Sequence, residues 1–123
     1  MLTKRKIDYF FGLIFGDAVL FLKSLTNRIT FHPYSKISIF SNIVSFNKGS
    51  IFLGKRVNIR SNVEVMADGG KIVIHGHNFI NRNTIICAHS MIEIEEGVTI
   101  GPNVCIYDHD HSPGGIFVTA NNN

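Results

Sequence analysis

Three features of the sequence predict an all-β protein, a solenoid in which short parallel strands form successive coils. Apolar residues at helical spacing end before residue 34, and I-x-I steps replace them over the rest of the chain. Aliphatic residues then recur every six positions in three consecutive groups of three. The residues inserted between groups always follow the third unit of a group. A six-residue unit accommodates one short strand and a turn, so three units are expected to form one triangular coil.

Composition limits the class of protein before any motif is considered. The 123 residues are enough for one small domain, and 45% apolar with 17% charged residues is typical of a folded chain. Residues 1–60 carry ten Lys or Arg against two acids, whereas residues 61–123 carry two against seven. The basic N-terminal half could bind a negatively charged partner, such as anionic lipid, a phosphorylated cofactor or nucleic acid. The chain contains no dense Lys/Arg run and no aromatic RNA motif, which argues against nucleic acid.

The first segment, residues 1–33, is predicted to form a short apolar helix followed by a connector. Residues 4–6 are KRK, and an apolar run over residues 9–22 is interrupted by Asp17. Asp17 and the lack of an A-x-A cleavage site argue against a signal peptide, and a run of fourteen residues is too short to span a bilayer. Two interpretations remain open: a helix that caps the core, or an interfacial anchor that makes the protein peripheral to the inner face of the membrane.

The second segment, residues 34–111, carries the repeat. Its leading aliphatic residues are Leu53, Ile59 and Val65, then Ile74, Ile80 and Ile86, then Ile94, Ile100 and Ile106. We expect each of them to point inward and stack on its counterpart one coil away, because a single coil cannot bury its own core. A weaker, partial unit is predicted to begin at Ile39. The residue four positions after a leading residue is expected to be small or β-branched, because it occupies the tight end of a face.

Two structural alternatives remain open. A second register, which runs through Ile92, Val98 and Val104, also has a period of six. A β-sandwich is the less favoured fold, because it would place turns about every eight to twelve residues. The last segment, residues 112–123, is predicted to be a loop and tail with a candidate strand at residues 116–118.

The two cysteines, Cys87 and Cys105, lie eighteen residues apart within the repeat. This spacing is not that of a metal-binding pair. We expect two buried, reduced thiols, which indicates a reducing compartment such as the cytoplasm.

Several of the units share a recognisable motif. LGKRVN at residues 53–58 and IGPNVC at residues 100–105 have an aliphatic residue, a glycine, two variable residues and a valine. Together with INRN at residues 80–83 and IYDHDH at residues 106–111, they resemble the hexapeptide-repeat acyltransferases, in particular the maltose, galactoside and exopolysaccharide O-acetyltransferases. The resemblance covers residues 37–111.

This resemblance implies a left-handed parallel β-helix of hexapeptide repeats, a homotrimer and acetyl-CoA as acyl donor. The family pattern continues for further coils that build much of the donor groove. The chain is therefore expected to be a C-terminally truncated member, in which the base is present and the donor site is mostly absent. The residues that bind acetyl-CoA are not identified by the motifs.

The resemblance also implies a set of site residues. In this family a histidine removes the proton of an acceptor hydroxyl, whose oxygen then attacks the thioester. The family pattern I-Y-x-x-x-H implies His111 as this base, and histidine suits the role because it titrates near neutral pH. His109 is the second candidate, since alternate residues of a strand share a side. Asp108, Asp110 or a backbone carbonyl would fix the tautomer of the base, and the two aspartates are also candidate substrate-binding residues. The resemblance implies that Asn81, thirty residues before His111, holds the sugar acceptor.

Three functions are compatible with these motifs. The first is an O-acetyltransferase that modifies a sugar hydroxyl in surface-polysaccharide synthesis. The second is a non-catalytic β-helix that still trimerises. The third is a metal-dependent hydratase of the same fold, in which His75, His77 and His89 would join His109 and His111 as ligands. Its supporting acidic and glutamine motif is not evident, so no metal site is predicted.

Overall fold

The computed structural model describes residues 4–24, 27–108 and 115–119 and confirms the predicted fold class. In these residues one helix, α1 (Lys4–Ser24), precedes thirteen short strands. The strands wind into a left-handed parallel β-helix of about four turns. Each repeating unit therefore forms one short strand and one turn, as the six-residue spacing predicts.

Each coil contributes one strand to each of three sheets, A, B and C. The first coil contains β1 (Ile29–Phe31), β2 (Lys36–Ile37) and β3 (Asn42–Phe46), and the second contains β4 (Ser50–Leu53), β5 (Asn58–Ile59) and β6 (Glu64–Asp68). The third contains β7 (Lys71–Ile74), β8 (Phe79–Ile80) and β9 (Ile85–Ala88), and the fourth contains β10 (Met91–Ile94), β11 (Thr99–Ile100) and β12 (Cys105–Asp108). A further strand, β13 (Ile116–Val118), returns to sheet A.

All the strand pairs are parallel. Sheet A has the order β1-β4-β7-β10-β13, sheet B the order β2-β5-β8-β11, and sheet C the order β3-β6-β9-β12. We name each corner of the triangle for the sheets that it joins, in chain order: A–B, B–C and C–A. The residues inserted between groups all fall at the C–A corner, as the sequence predicts.

The core consists of stacked aliphatic columns. Leu53 pairs with Ile74, and Ile74 pairs with Ile94, along sheet A. Sheets B and C stack their leading residues in the same way, and of the nine predicted residues all are buried except Ile106, which is half-buried. Ile92 pairs with Ile72 rather than with Ile74, which selects the first of the two predicted registers.

The first coil is complete, whereas the sequence predicts only a partial unit beginning at Ile39. Phe31, Ile37 and Ile43 are six residues apart and pair with the leading residues of the second coil. Ile39 instead lies in a turn with 45% of its surface exposed. β1 falls in the segment that was predicted as a connector, but it forms the first strand of sheet A. The reason is that Ile29 and Phe31 both pack on the core.

The N-terminal helix packs on the first coil and caps the core, which is the first of its two predicted arrangements. Leu20 is fully buried, and Gly16 lies so close to Ser35 that an added Cβ would overlap the Ser35 carbonyl oxygen. Asp17 accepts hydrogen bonds from the backbone nitrogens of Tyr34 and Ser35 at 3.0 and 3.1 Å. The residue that interrupts the apolar run thus attaches the helix to the coil. Within the described part of the chain, no helix is long and apolar enough to cross a membrane.

Three asparagines stack at the B–C corner in the left-handed backbone conformation. Asn62, Asn83 and Asn103 have φ angles of 59°, 63° and 60°. Asparagine tolerates this conformation better than most residues. Nδ2 of Asn62 also donates a hydrogen bond to Oδ1 of Asn83 at 2.6 Å, so side chains as well as backbone join successive coils here.

Candidate functional site

The predicted catalytic motif begins on the last strand of the fourth coil. Residues 106–108 belong to β12 and pair with β9. His109, Asp110 and His111 lie outside the described residues, so the roles that the resemblance implies for them stay predictions. The chain is described again from Gly115, and β13 then pairs with β10 on sheet A. The three residues therefore belong to the chain segment that links β12 to β13.

Asp108 anchors the beginning of this link. It is 1% exposed, and its carboxylate accepts three consecutive backbone N–H groups where the third coil passes into the fourth. Oδ1 accepts from His89 at 2.6 Å, and Oδ2 accepts from Ser90 at 2.9 Å and from Met91 at 2.6 Å. Because hydrogen bonds to an ionised acceptor are stronger than neutral ones, Asp108 holds the end of β12 firmly against the start of β10. The sequence predicts Asp108 as a partner of the base, and this structural role is additional.

A column of polar side chains runs along the outside of the C–A corner, one from each coil, and we call it the corner column. Nδ2 of Asn47 donates to Oδ1 of Asp68 at 2.7 Å, and Oδ2 of Asp68 lies 3.6 Å from Nδ1 of His89. Nε2 of His89 lies 3.1 Å from the hydroxyl of Tyr107, and their rings meet edge to face at 5.4 Å. An imidazole between a carboxylate and a hydroxyl can accept a proton or pass one on.

The corner column is a feature that the sequence predictions missed. They consider His89 only as a possible metal ligand. The signal that could have found the column is spacing, because Asn47, Asp68 and His89 follow one another at intervals of twenty-one residues. Strand partners on successive coils are 20 to 22 residues apart, so polar residues that repeat at about this interval share a corner.

Asn81, the predicted acceptor-binding residue, lies at the B–C corner. It follows β8, its backbone nitrogen donates to the carbonyl of Ile100 at 2.9 Å, and its Oδ1 accepts the backbone N–H of Arg82 at 2.8 Å. β9 begins four residues later and ends at Ala88, the strand partner of Asp108. Within one chain, sheet C therefore separates Asn81 from Asp108, and the structure does not bring these two predicted residues together.

A cleft of about 350 Å³ lies at the A–B corner, and we call it the cationic cleft. Its lining includes Tyr34, Lys36, Arg56, Asn58, His77 and Phe79. Tyr34, Arg56 and His77 have φ angles of 72°, 57° and 54°, an uncommon conformation for residues of this size. The Arg56 guanidinium lies 5.2 Å from the centre of the Tyr34 ring. Two cations beside aromatic rings suit an anionic ligand that also carries a flat ring.

A second cleft, of about 460 Å³, lies on the outer face of sheet A and is acidic. Its lining includes His75, Glu93, Glu95, Glu96, Phe117 and Thr119. Nε2 of His75 lies 2.6 Å from the Glu93 carboxylate, and Nε2 of His77 lies 3.7 Å from that of Glu96. These histidines therefore face separate glutamates. Among residues 4–24, 27–108 and 115–119, no three His, Cys, Asp or Glu side chains are grouped so as to hold a metal ion.

The two cysteines occupy different environments on sheet C. Cys87 is buried, and burial raises the pKa of its thiol, with the negative charges of Asp68 and Asp108 as smaller causes. Cys105 is exposed, so the prediction that both thiols are buried is wrong for Cys105. The reason is position within the sheet: Cys87 lies on β9, between two strands, whereas Cys105 lies on β12, the edge strand of the described sheet.

The structure thus defines a left-handed β-helix with a helical cap, a polar C–A corner and a cationic cleft. No protein-family model matches the chain, and neither a curated protein nor a solved structure matches it. Its function is therefore inferred from its own motifs and contacts.

Proposed function

We propose that the chain is an O-acetyltransferase, which acts in the cytoplasm and moves an acetyl group from acetyl-CoA to a sugar hydroxyl, as in surface-polysaccharide synthesis. The observation that carries the proposal is the anchoring of Asp108 by three backbone N–H groups. Catalytic side chains need rigid support to keep a productive geometry. Asp108 supplies that support three residues before His111, the base that the resemblance to the sugar O-acetyltransferases implies, and directly before His109, the second candidate.

The proposed reaction needs one base and one acceptor. Acetyl-CoA supplies an acyl carbon activated as a thioester. His111, or His109 as the second candidate, takes the proton of the acceptor hydroxyl. The hydroxyl oxygen then bonds to the acyl carbon while the carbon–sulfur bond breaks, and the departing thiolate takes up a proton. Asp110 is proposed to orient the base, and the amide of Asn81 to hold the sugar.

The cationic cleft fits the phosphorylated part of the donor. Coenzyme A carries phosphate groups and an adenine ring. Lys36 and Arg56 supply positive charge to the cleft, and Phe79 supplies an aromatic surface. Guanidinium groups recognise phosphates in a planar, two-pronged geometry. We therefore propose that these three residues contact the donor.

A homotrimer assembled through the outer face of sheet C is part of the proposal. Phe46, Ile85 and Tyr107 on this sheet expose 44%, 37% and 39% of their surfaces. Aromatic and aliphatic side chains grouped on one face are typical of a surface that is buried on association. Since sheet C separates Asn81 from Asp108 within one chain, a second copy packed there would bring Asn81 of one chain towards the motif of the other.

The second candidate function is a non-catalytic β-helix that trimerises. The apolar outer face of sheet C favours it, because assembly through this face requires no chemistry at the C–A corner. The two candidates therefore share an oligomeric state and differ in turnover.

Acetyl transfer to a panel of simple sugars, followed by mass spectrometry of acetylated sugar and free coenzyme A, tests the proposal. His111→Ala should lower turnover by about 10²–10⁴-fold, the range expected when a general base is lost. His109→Ala tests the second candidate base. His32→Ala is the matched control, because His32 is an exposed histidine of the first coil. Equal background from all of these proteins would contradict the enzyme and favour the non-catalytic candidate.

A further inference from the structure

The end of the β-helix that carries α1 exposes several large apolar side chains. Phe21 and Leu22, near the end of α1, are 57% and 64% exposed, and Ile39 and Phe40, in a turn of the first coil, are 45% and 44% exposed. Nζ of Lys4 lies 4.4 Å from the centre of the Phe40 ring, so this turn adjoins the beginning of the helix. We call Phe21, Leu22, Ile39 and Phe40 the apolar end surface.

The helix contacts the core on one side and presents apolar residues on another. Leu20 is fully buried, Gly16 touches the first coil, and Val19 packs against the core. Phe21 and Leu22 follow directly, and successive helical residues are rotated by about 100° around the axis. The capping and interfacial interpretations of the N-terminal segment are therefore compatible, because different sides of α1 serve them.

Positive charge accompanies the apolar end surface. Lys4 and Lys6 are exposed at the beginning of α1, and Lys23 lies in its last turn. Residues 27–60, from the first coil into the second, contain six Lys or Arg and no Asp or Glu. The carboxylate of Asp17 is bonded to backbone N–H groups of the first coil. Apolar side chains accompanied by cations are complementary to an anionic lipid surface.

We propose that this end of the β-helix docks on an anionic membrane surface. Phe21 and Leu22 enter the boundary between headgroups and acyl chains, while Lys4, five turns before Leu22 on the same side of α1, faces the lipid phosphates. The helix lies in the plane of the interface, with its buried side still on the first coil. The fourth coil then stands roughly 15 Å farther from the lipid than the first, because strands of adjacent coils are about 4.8 Å apart. The inference is independent of the proposed acetyl transfer.

Co-sedimentation of the full chain with lipid vesicles tests the charge component. Vesicles of phosphatidylcholine mixed with phosphatidylglycerol should bind the protein at least about tenfold more strongly than vesicles of phosphatidylcholine alone, and added salt should weaken this binding. Lys4→Gln should lower partitioning by about fivefold. Lys71→Gln is the matched control, because Lys71 is exposed on the third coil.

The apolar component has its own matched control. Phe21→Gln combined with Leu22→Gln should lower partitioning by at least about tenfold at constant lipid composition. Phe117→Gln should not, because Phe117 is 59% exposed but lies on β13, at the opposite end of sheet A. Circular dichroism would confirm that each variant keeps its fold.

Three results would overturn the proposal. One is a lack of binding to either kind of vesicle, or equal binding to both. Another is an equal loss of binding in Phe117→Gln and in the α1 double variant. The third is a double variant that binds vesicles normally but has a smaller oligomeric mass by light scattering, which would assign the apolar end surface to a second copy of the chain.

Discussion

Asp108 accepts the backbone N–H of Met91 at 2.6 Å, and its carboxylate there takes the place of a backbone carbonyl. In the two coils below, the equivalent N–H groups of Ser50 and Lys71 donate to the carbonyl oxygens of Gly70 and Ser90, both at 3.0 Å. The fourth coil thus completes the same row of hydrogen bonds with a charged side chain. This substitution places a buried negative charge at the C–A corner, directly before the predicted catalytic residues.

Asp108→Ala should destabilise the fold more than any exposed acidic substitution. Three partly buried N–H groups would lose their acceptor. A fully buried orphaned donor costs roughly 1–3 kcal/mol, and water that reaches these partly buried groups restores part of that cost. We expect the free energy of unfolding, measured by urea titration, to fall by about 3 kcal/mol. Asp108→Asn keeps one acceptor oxygen and should lose less. Glu96→Ala is the exposed control, and equal midpoints for it and Asp108→Ala would disprove the anchoring role.

Two glycines at the same position of the hexapeptide motif should respond differently to alanine. Gly54 follows Leu53 and Gly101 follows Ile100, but an added Cβ on Gly54 would overlap the carbonyl oxygen of His75, whereas on Gly101 it would meet no atom within 4 Å. Gly54→Ala should therefore lower the free energy of unfolding by about 3 kcal/mol, because backbone must shift. Gly101→Ala should stay within about 0.5 kcal/mol. Thermal unfolding followed by circular dichroism compares the pair, and similar midpoints would refute the close approach of the coils.

The aliphatic columns were predictable because burial follows spacing alone. The period of six arranges the leading residues in groups of three, and the first residues of these groups, Leu53, Ile74 and Ile94, form one column. The first coil was harder to recognise because its residue in the Leu53 column is the aromatic Phe31 rather than an aliphatic residue. Ile39 follows Ile37 at the spacing of the I-x-I steps, although it lies in a turn rather than a strand.

Hydrogen bonds made by side chains at the corners could not be read from spacing. Asn78 occupies a position where the repeat favours a small or β-branched residue, yet it is 2% exposed. Its Oδ1 accepts the N–H of Gly76 at 2.8 Å, and its Nδ2 donates to the carbonyls of Glu95 and Val98 at 2.9 and 3.0 Å. A buried amide is tolerated only where the turns of two coils present such partners. That geometry, like the three bonds of Asp108, emerges only when the coils are stacked.

Arg56→Gln tests the proposed donor site separately from the catalytic motif. If the cationic cleft holds donor phosphates, loss of one positive charge should raise KM for acetyl-CoA by about tenfold and change kcat little. The reason is that a contact remote from the reacting atoms is equally strong before and in the transition state. Lys55→Gln is the matched control, because Lys55 is the exposed neighbouring cation and does not line the cleft. A fall in kcat with unchanged KM would argue against donor binding at Arg56.

The two thiols should differ in their rate of reaction with a disulfide reagent. Cys105 is exposed, whereas Cys87 is buried and its pKa is raised chiefly by that burial. Since the thiolate is the reactive form, one thiol per folded, unassembled chain should react quickly and the second should require unfolding. A second copy packed on the outer face of sheet C would protect Cys105, which pairs with Ile85 there, so the rates are compared in dilute monomer. Cys105→Ser should abolish the fast phase and Cys87→Ser should preserve it. Two fast thiols in the wild-type chain would contradict the burial of Cys87.

The raised pKa of Cys87 also predicts a loss of stability at alkaline pH. The unfolded thiol ionises near its ordinary pKa of 9.0, whereas the folded thiol keeps its proton to higher pH. Above 9.0 the unfolded chain therefore binds fewer protons than the folded chain at this group, so the free energy of unfolding falls as pH rises. Below that value the group contributes no slope. Urea titrations on either side of 9.0 should show a steeper loss for the wild-type chain than for Cys87→Ala, while Cys105→Ala should keep the wild-type slope. An unchanged slope in Cys87→Ala would show that the folded thiol ionises as readily as the unfolded one.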